Sequence, residues 1–235
     1  MKIRNSTALV TGANRGLGRA IAVELIRRGA HKVYGTSRSG DGDFPAGVTA
    51  LRLDVTKPEE VSAAADAASD VNLLVNNAGI ADFIGFLEPG AIDKAHAIFE
   101  TNFYGPVRIS QAFAPILARN GGGAIINVLS IASWITSPAL AVYAASKSAA
   151  WAFTNALRQH LRPQGTHVVG LHVGFMDTDM ARGIDSPKVA PEDVARVTLD
   201  GLEAGLEEVL ADDKTRLVKQ SLSAANPAYL ATVER

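Results

Sequence analysis

Six short apolar runs recur along the chain: Thr7–Val10, Lys32–Thr36, Val48–Asp54, Val71–Val75, Ala124–Leu129 and Val168–Val173. Most are continuous rather than alternating, the pattern of strands covered on both faces in a parallel sheet. The stretches between them read as helices. Arg15–Arg28 sets Leu17, Ile21 and Leu25 on one stripe and stops at Gly29. Pro58-Glu59-Glu60 opens a second helix, with acids in the first turn where the helix dipole favours them. Asp93–Ala118 and Tyr143–Leu161 supply two longer ones, and Pro191-Glu192-Asp193 opens another that ends near Gly205. Strands alternating with helices predict an α/β fold: one doubly wound parallel sheet of Rossmann type, flanked by helices on both faces. No linker, repeat or low-complexity block interrupts the 235 residues. A single domain over 1–235 is therefore expected, with a C-terminal tail over 222–235.

Bulk chemistry narrows the function. Lys plus Arg number 23 and Asp plus Glu 24, for a net charge of −1. That balance offers no attraction to nucleic acid or an anionic membrane. There is no cysteine, which excludes disulfides, thiolate chemistry and Cys-based metal sites. The five histidines (31, 96, 160, 167 and 172) show no H-E-x-x-H spacing, so no metal is expected. The N-terminal apolar stretch is too short for a signal peptide, and none approaches the roughly 18 apolar residues of a membrane span. A soluble cytoplasmic protein is the expectation.

The first strand runs into TGANRGLG, Thr11–Gly18, and then into a helix. Gly12 permits a tight turn, Gly16 lets backbone approach a pyrophosphate, and Gly18 lets helix and sheet pack closely. The helix N-terminus then offers unpaired N–H groups to phosphate. The spacing is not G-x-G-x-x-G and no Lys follows as in a Walker A loop. A plain glycine turn is the bland alternative.

Two further elements remove that ambiguity. NNAG at Asn76–Gly79 and Tyr143-x-x-x-Lys147 follow TGxxxGxG in the order and separation of the short-chain dehydrogenase/reductase family, which the chain resembles from about Thr7 to Met180. Asn102 in TNFYG and Thr178 in VGFMDT fit the same pattern. The resemblance implies a nicotinamide dinucleotide held by Gly12, Asn14, Arg15, Gly16, Leu17 and Gly18 of the loop. It adds Asp54 and Val55 near the adenine, Asn77, Ala78 and Gly79 near the ribose, and Gly174 and Thr178 near the nicotinamide.

Which dinucleotide depends on the end of the second strand, where an acid would bind the ribose 2′-hydroxyl of NAD. Here stand Ser37 and Arg38. An acid would repel a 2′-phosphate, whereas a guanidinium grips one bidentately. Arg15 is placed to reach the same phosphate. NADP(H) is the expected cofactor, with Asp41 and Asp43 read as turn residues in SGDGD.

Tyr143 and Lys147, four apart on a helix, share one face. An ammonium beside a phenol lowers the phenol's pKa, and such a Tyr donates or removes the proton in carbonyl–alcohol interconversion. Ser130 lies 13 residues before Tyr143 at a strand end. The resemblance assigns it to hydrogen-bonding the substrate carbonyl, in preference to Ser133 and Ser137. It also makes Asn102 the holder of a water in a proton relay with Lys147.

Phe83, Trp134, Leu140, Phe175 and Met176 flank these residues and are the expected substrate pocket. No Arg or Lys is among them, which suits a neutral, fairly apolar ketone, aldehyde or alcohol. In this family the two long helices, here bearing Phe99, Phe103, Phe113, Trp151 and Phe153, commonly form a dimer face, so a homodimer or homotetramer is implied.

Three departures stand out. Val173-Gly174 replaces the family's frequent Pro-Gly, which predicts a looser loop. Asp179–Ala190 is short and lacks aromatics. EVLAD at Glu208–Asp212 reads as a truncated seventh strand before a polar helix. The reading that fits best is an NADPH-dependent carbonyl reductase. An NAD-linked alcohol or steroid dehydrogenase acting oxidatively, or a non-catalytic NADP(H)-binding sensor, are the alternatives.

Overall fold

The structure is a computed structural model and describes residues 1–231. Seven parallel strands form one sheet: β1 (Thr7–Val10), β2 (Lys32–Ser37), β3 (Val48–Arg52), β4 (Leu73–Asn76), β5 (Ala124–Val128), β6 (His167–His172) and β7 (Glu208–Leu210). Their spatial order is β3-β2-β1-β4-β5-β6-β7, so the winding reverses between β1 and β4 and opens a crevice at their carboxyl ends. The expected strands are all present, with ends displaced by one or two residues. The seventh is real but only three residues long.

Side chains alternate across each strand, and the sheet separates two cores. Ala8, Val10, Val75 and Ile126 pack on Leu17, Ile21 and Leu25 of α1 (Gly16–Arg27) and on Val194, Leu199 and Leu202 of α6 (Pro191–Glu203). Leu9, Leu74 and Ile125 pack on the other face. There they meet Val61 of α2 (Pro58–Ala67), Ile109, Phe113 and Leu117 of α4 (Gly105–Arg119), and Leu161 at the end of α5 (Ala141–Leu161). β3, at the edge, is half-exposed throughout, which a continuous apolar reading does not anticipate. A salt-bridge cluster joins α1 to α6: Arg28, almost enclosed, meets Glu24 at 2.7 Å, Asp200 at 2.8 Å and Glu203 at 3.1 Å.

The expected helix over Asp93–Ala118 is interrupted. α3 (Ala91–Phe99) gives way to a π-helical turn at Glu100–Tyr104 before α4 begins. The extra residue swings Asn102 inward to 2% exposure. A β-carbon on Gly105 would lie 2.8 Å from Val55 Cγ2, so glycine is what lets α4 approach that loop. Beyond β7, a polar α7 (Asp213–Ser221) packs back on the sheet edge. Of the tail expected over 222–235, residues 232–235 lie outside the described residues. Among the described residues, no helix is long and apolar enough to cross a membrane.

Candidate active site

The crevice is floored by the glycine loop. Gly12 and Gly16 adopt φ of 67° and 53°, left-handed backbone that a side chain strains. A β-carbon on Gly18 would fall 2.2 Å from the Gly12 carbonyl oxygen and 2.5 Å from Asn77 Nδ2, so α1 packs against its own loop only because the residue is glycine. Arg15 occupies the N-cap of α1 without capping it, which leaves the first-turn amides open to an anion. Cradle and open helix end together fit a pyrophosphate. Leu17 itself faces the core.

The loop is stapled to the NNAG stretch. Asn77 Nδ2 donates to the carbonyls of Thr11 (2.8 Å) and Gly12 (3.2 Å), while the amides of Asn77 and Ala78 donate to Thr11 Oγ1 at 2.9 and 3.0 Å. Thr11 was not among the expected site residues; its bare position before Gly12 was the available signal. Asn76 works one layer deeper, donating to Asn127 Oδ1 (2.8 Å) and Ser110 Oγ (3.2 Å) between strands and helices. Gly79 sits where a β-carbon would crowd Asn102 Oδ1 at 3.3 Å.

At the adenosine end, Ser37 Oγ donates to the Asp41 carbonyl and leaves Arg38 exposed at the sheet edge. The loop beyond folds back over Asn14, with Asp43 paired to Arg19 at 3.3 Å. Asp54 Oδ1 accepts from the Thr56 amide and hydroxyl at 2.9 and 2.8 Å. Burial raises this carboxyl, but the Thr56 bonds, Arg38 and Lys57 outweigh it and hold Asp54 below its usual range. Val55 is buried against Gly105. Arg15 pairs at 3.6 Å with Asp179, on the far side of the crevice, through two exposed side chains. Thr178 reaches the loop too, its Cγ2 within 3.4 Å of the β-carbon position of Gly16.

At the other end, Ser130 closes β5 in extended backbone, its Oγ accepting from the Ala132 amide at 3.1 Å. Ser133 is buried, with its hydroxyl unpaired. Lys147 is 6% exposed, donates Nζ to the Val128 carbonyl at 2.8 Å, and lies 5.8 Å from the Tyr143 ring centre. Burial pulls its ammonium down to about 8. The same burial pushes the Tyr143 phenol up to about 12, against a hydrogen bond with Ser130 that lowers it. Burial thus works against the lowering expected from Lys147.

Asn102 does not touch Lys147 directly. Its amide exchanges two hydrogen bonds with the Ile80 backbone, both 2.9 Å, and donates to Ser146 Oγ at 3.1 Å. Ser146 in turn donates to the Tyr143 carbonyl at 2.7 Å. The π-helical turn therefore braces the end of β4 against the helix that carries Tyr143.

Of the expected pocket residues, Phe83 is half-exposed and Leu140 and Phe175 are partly buried. Met176 pairs with Val189 and leans on the α1–α6 core. Trp134 is a correction. Its ring stacks on His172 at 3.9 Å and packs edge-on to Trp151, with Lys219 4.8 Å above it, so it walls no open cleft. His172 is fully buried, its Nδ1 3.1 Å from the Ser130 carbonyl. A carbonyl only accepts, so Nδ1 carries the proton; burial holds the imidazole below its ordinary range and keeps it neutral.

A glycine cradle, NNAG staple and Ser–Tyr–Lys end thus share one crevice, and the family model for short chain dehydrogenases matches residues 6–188. The chain is a short-chain dehydrogenase/reductase. Its relatives agree. It is 34% identical over 205 residues to a 1-deoxy-11-beta-hydroxypentalenate dehydrogenase of Streptomyces avermitilis, covering 81% of this chain and 76% of that one. It is 35% identical over 195 residues to a 3-oxoacyl-(acyl-carrier-protein) reductase of Vibrio cholerae, covering 79% of each. The crystal structure of a short-chain dehydrogenase from Burkholderia cenocepacia in complex with NADP superposes with a TM-score of 0.91. It is 38% identical and covers 96% of this chain and 95% of that one. As a short-chain dehydrogenase/reductase, the protein is an NAD(P)-dependent oxidoreductase acting on CH–OH or carbonyl groups.

Proposed function

We propose that this short-chain dehydrogenase/reductase is an NADPH-dependent carbonyl reductase acting on a neutral, fairly apolar ketone or aldehyde, with Tyr143 as proton donor. The observation that carries the reading is the meeting of Ser130, Tyr143 and Lys147 at one end of the crevice floored by the glycine cradle. A tyrosine phenol, with an ordinary pKa near 10, carries its proton at neutral pH and can deliver it to an oxygen that gains charge. Relatives bear both dehydrogenase and reductase names, and the screen below tests the reductive direction.

Each residue then has a task. The nicotinamide, when bound, supplies the hydride. Ser130 Oγ, fixed by the Ala132 amide, donates to the substrate oxygen beside Tyr143. Lys147 keeps a cation beneath Tyr143 and steadies the phenolate left after proton transfer. Asn102, through Ser146, fixes the backbone of Tyr143. Arg38, exposed at the end of β2 beside an acid-free strand end, favours a 2′-phosphate. The NADP complex of the Burkholderia cenocepacia protein supports that preference.

A screen of ketones, aldehydes and quinones with NADPH and NADH, followed by loss of cofactor absorbance, tests the reading. Turnover with NADPH in preference to NADH is expected; turnover with NADH alone, or only in the oxidative direction, overturns it. We also propose a homo-oligomer paired through α4 and α5. Tyr104 lies 48% exposed beside Phe103, which packs against Phe153. Light scattering should return at least twice the chain mass, and a monomer mass contradicts the pairing.

A further inference from the structure

β6 ends at His172, whose carbonyl takes the last bond from the β7 side, from the Ala211 amide at 3.0 Å, while on the β5 side the Val173 carbonyl accepts from the Ile131 amide at 2.9 Å. Past that rung the chain enters the Gly174–Thr178 loop, where Val173 stands in place of a proline. The loop is nevertheless held at three points. Phe175 and Asp177 exchange backbone bonds with Val189, both 3.0 Å, and Thr178 rests beside Gly16. Its start is held by a side chain: Gly174 N–H donates to Asp212 Oδ2 at 2.8 Å.

Asp212 belongs to the C-terminal segment, beyond the residues 6–188 that match the family model. It is also the N-cap of α7, where Oδ1 accepts from the Thr215 amide at 2.8 Å and Oδ2 from the Thr215 hydroxyl at 2.7 Å. Capping needs only one oxygen, and Ser serves about as well as Asp. The second oxygen gives the Gly174 amide a charge-assisted acceptor, the stronger kind of hydrogen bond.

We propose that Asp212 is a positioning residue: its carboxylate, carried in by the β7–α7 segment, holds the Gly174 amide and thereby fixes the Gly174–Thr178 loop against the glycine loop. The inference rests on the reading of that loop as the wall of the nicotinamide site. It also explains how Val173-Gly174 dispenses with proline rigidity, since an ionic hydrogen bond supplies the restraint from behind.

Capping and loop-holding separate in two variants. Asp212→Ser retains a cap for Thr215 but is too short to reach Gly174. Thr215→Val removes the hydroxyl bond and leaves the Gly174 bond in place. In Asp212→Ser, amide exchange at Gly174 should quicken at least about tenfold while that at Ile126, in β5, is unchanged. NADPH affinity by fluorescence titration should fall at least about fivefold. In Thr215→Val both quantities should stay within about twofold of wild type, although α7 is weakened. Asp212→Thr replaces Asp212→Ser should the latter not fold. Unchanged Gly174 exchange or unchanged NADPH affinity in the Ser variant overturns the proposal, as does Thr215→Val weakening NADPH equally. A wild-type chain that binds no nicotinamide cofactor overturns the reading of the site instead, and Gly174 exchange still decides whether Asp212 holds the loop.

Discussion

Tyr143 and Lys147 lie in one cleft and respond to burial in opposite directions: the phenol rises to about 12 and the ammonium falls to about 8. Both shifts favour the neutral form, as desolvation must. Burial thus opposes the lowering that an ammonium four residues away gives a phenol. The same lesson applies to Trp134. Its place four residues after Ser130 suggested a pocket wall, but its stacking partner His172 lies far along the chain and is invisible to local spacing. Trp134→Phe should lower stability by about 1–2 kcal/mol through lost stacking and a small void. It should leave the KM of any carbonyl substrate within about twofold, and a large KM change places the ring in the cleft after all. Arg38 carries the cofactor preference. Removing a charge-assisted bond to a phosphate costs about 1.5–3 kcal/mol, so Arg38→Ala should weaken NADPH binding about 10- to 100-fold and leave NADH binding unchanged. Equal loss for both cofactors contradicts that role.

Elements show where sequence and structure part company. The strands and the glycine loop were legible because their signals are local: a continuous apolar run, then glycines at the turn. The π-helical turn was not, because what pulls Asn102 inward is the Ile80 backbone, 22 residues away. The β3 edge was likewise misjudged, since exposure depends on the strand's place in the sheet. Gly18→Ala is the sharpest test of the loop. The added methyl would collide with the Gly12 carbonyl, so a loss of about 1–3 kcal/mol is expected, together with weaker NADPH binding. Thermal melts and titration check both, and an unaltered variant denies the close packing. The α1–α6 seam has a pH signature. The hydrogen bond from Arg27 lowers the Glu24 carboxyl most, burial opposes it, and Arg28 adds to the lowering, for a value of about 2 against an ordinary 4.5. A depressed carboxyl contributes stability above its unfolded value and loses it as pH falls through the folded one. Urea melts should therefore show stability lost between roughly pH 4.5 and 2, by less than the full shift because solvent screens the exposed Arg27. Glu24→Gln should flatten that window, and an unchanged profile removes Glu24 from the account.

At the scale of the molecule, one sheet does two jobs. Its buried strands carry no chemistry, yet their carboxyl ends bring together Gly12, Asn77, Ser130 and Gly174 from widely separated parts of the chain. The family pattern made those ends readable in advance. Residues that hold them from behind were not readable: Thr11, His172 and Asp212 act through backbone partners fixed only by the fold. The central claim is that this crevice reduces a carbonyl with NADPH while Tyr143 supplies the proton. Its most direct test is steady-state reduction of an apolar ketone or aldehyde by wild type and Tyr143→Phe, with NADPH binding titrated in parallel. Wild-type turnover, a fall of at least about a hundredfold in kcat for the variant, and NADPH affinity within about twofold are expected. A Tyr143→Phe enzyme that turns over at the wild-type rate contradicts the account.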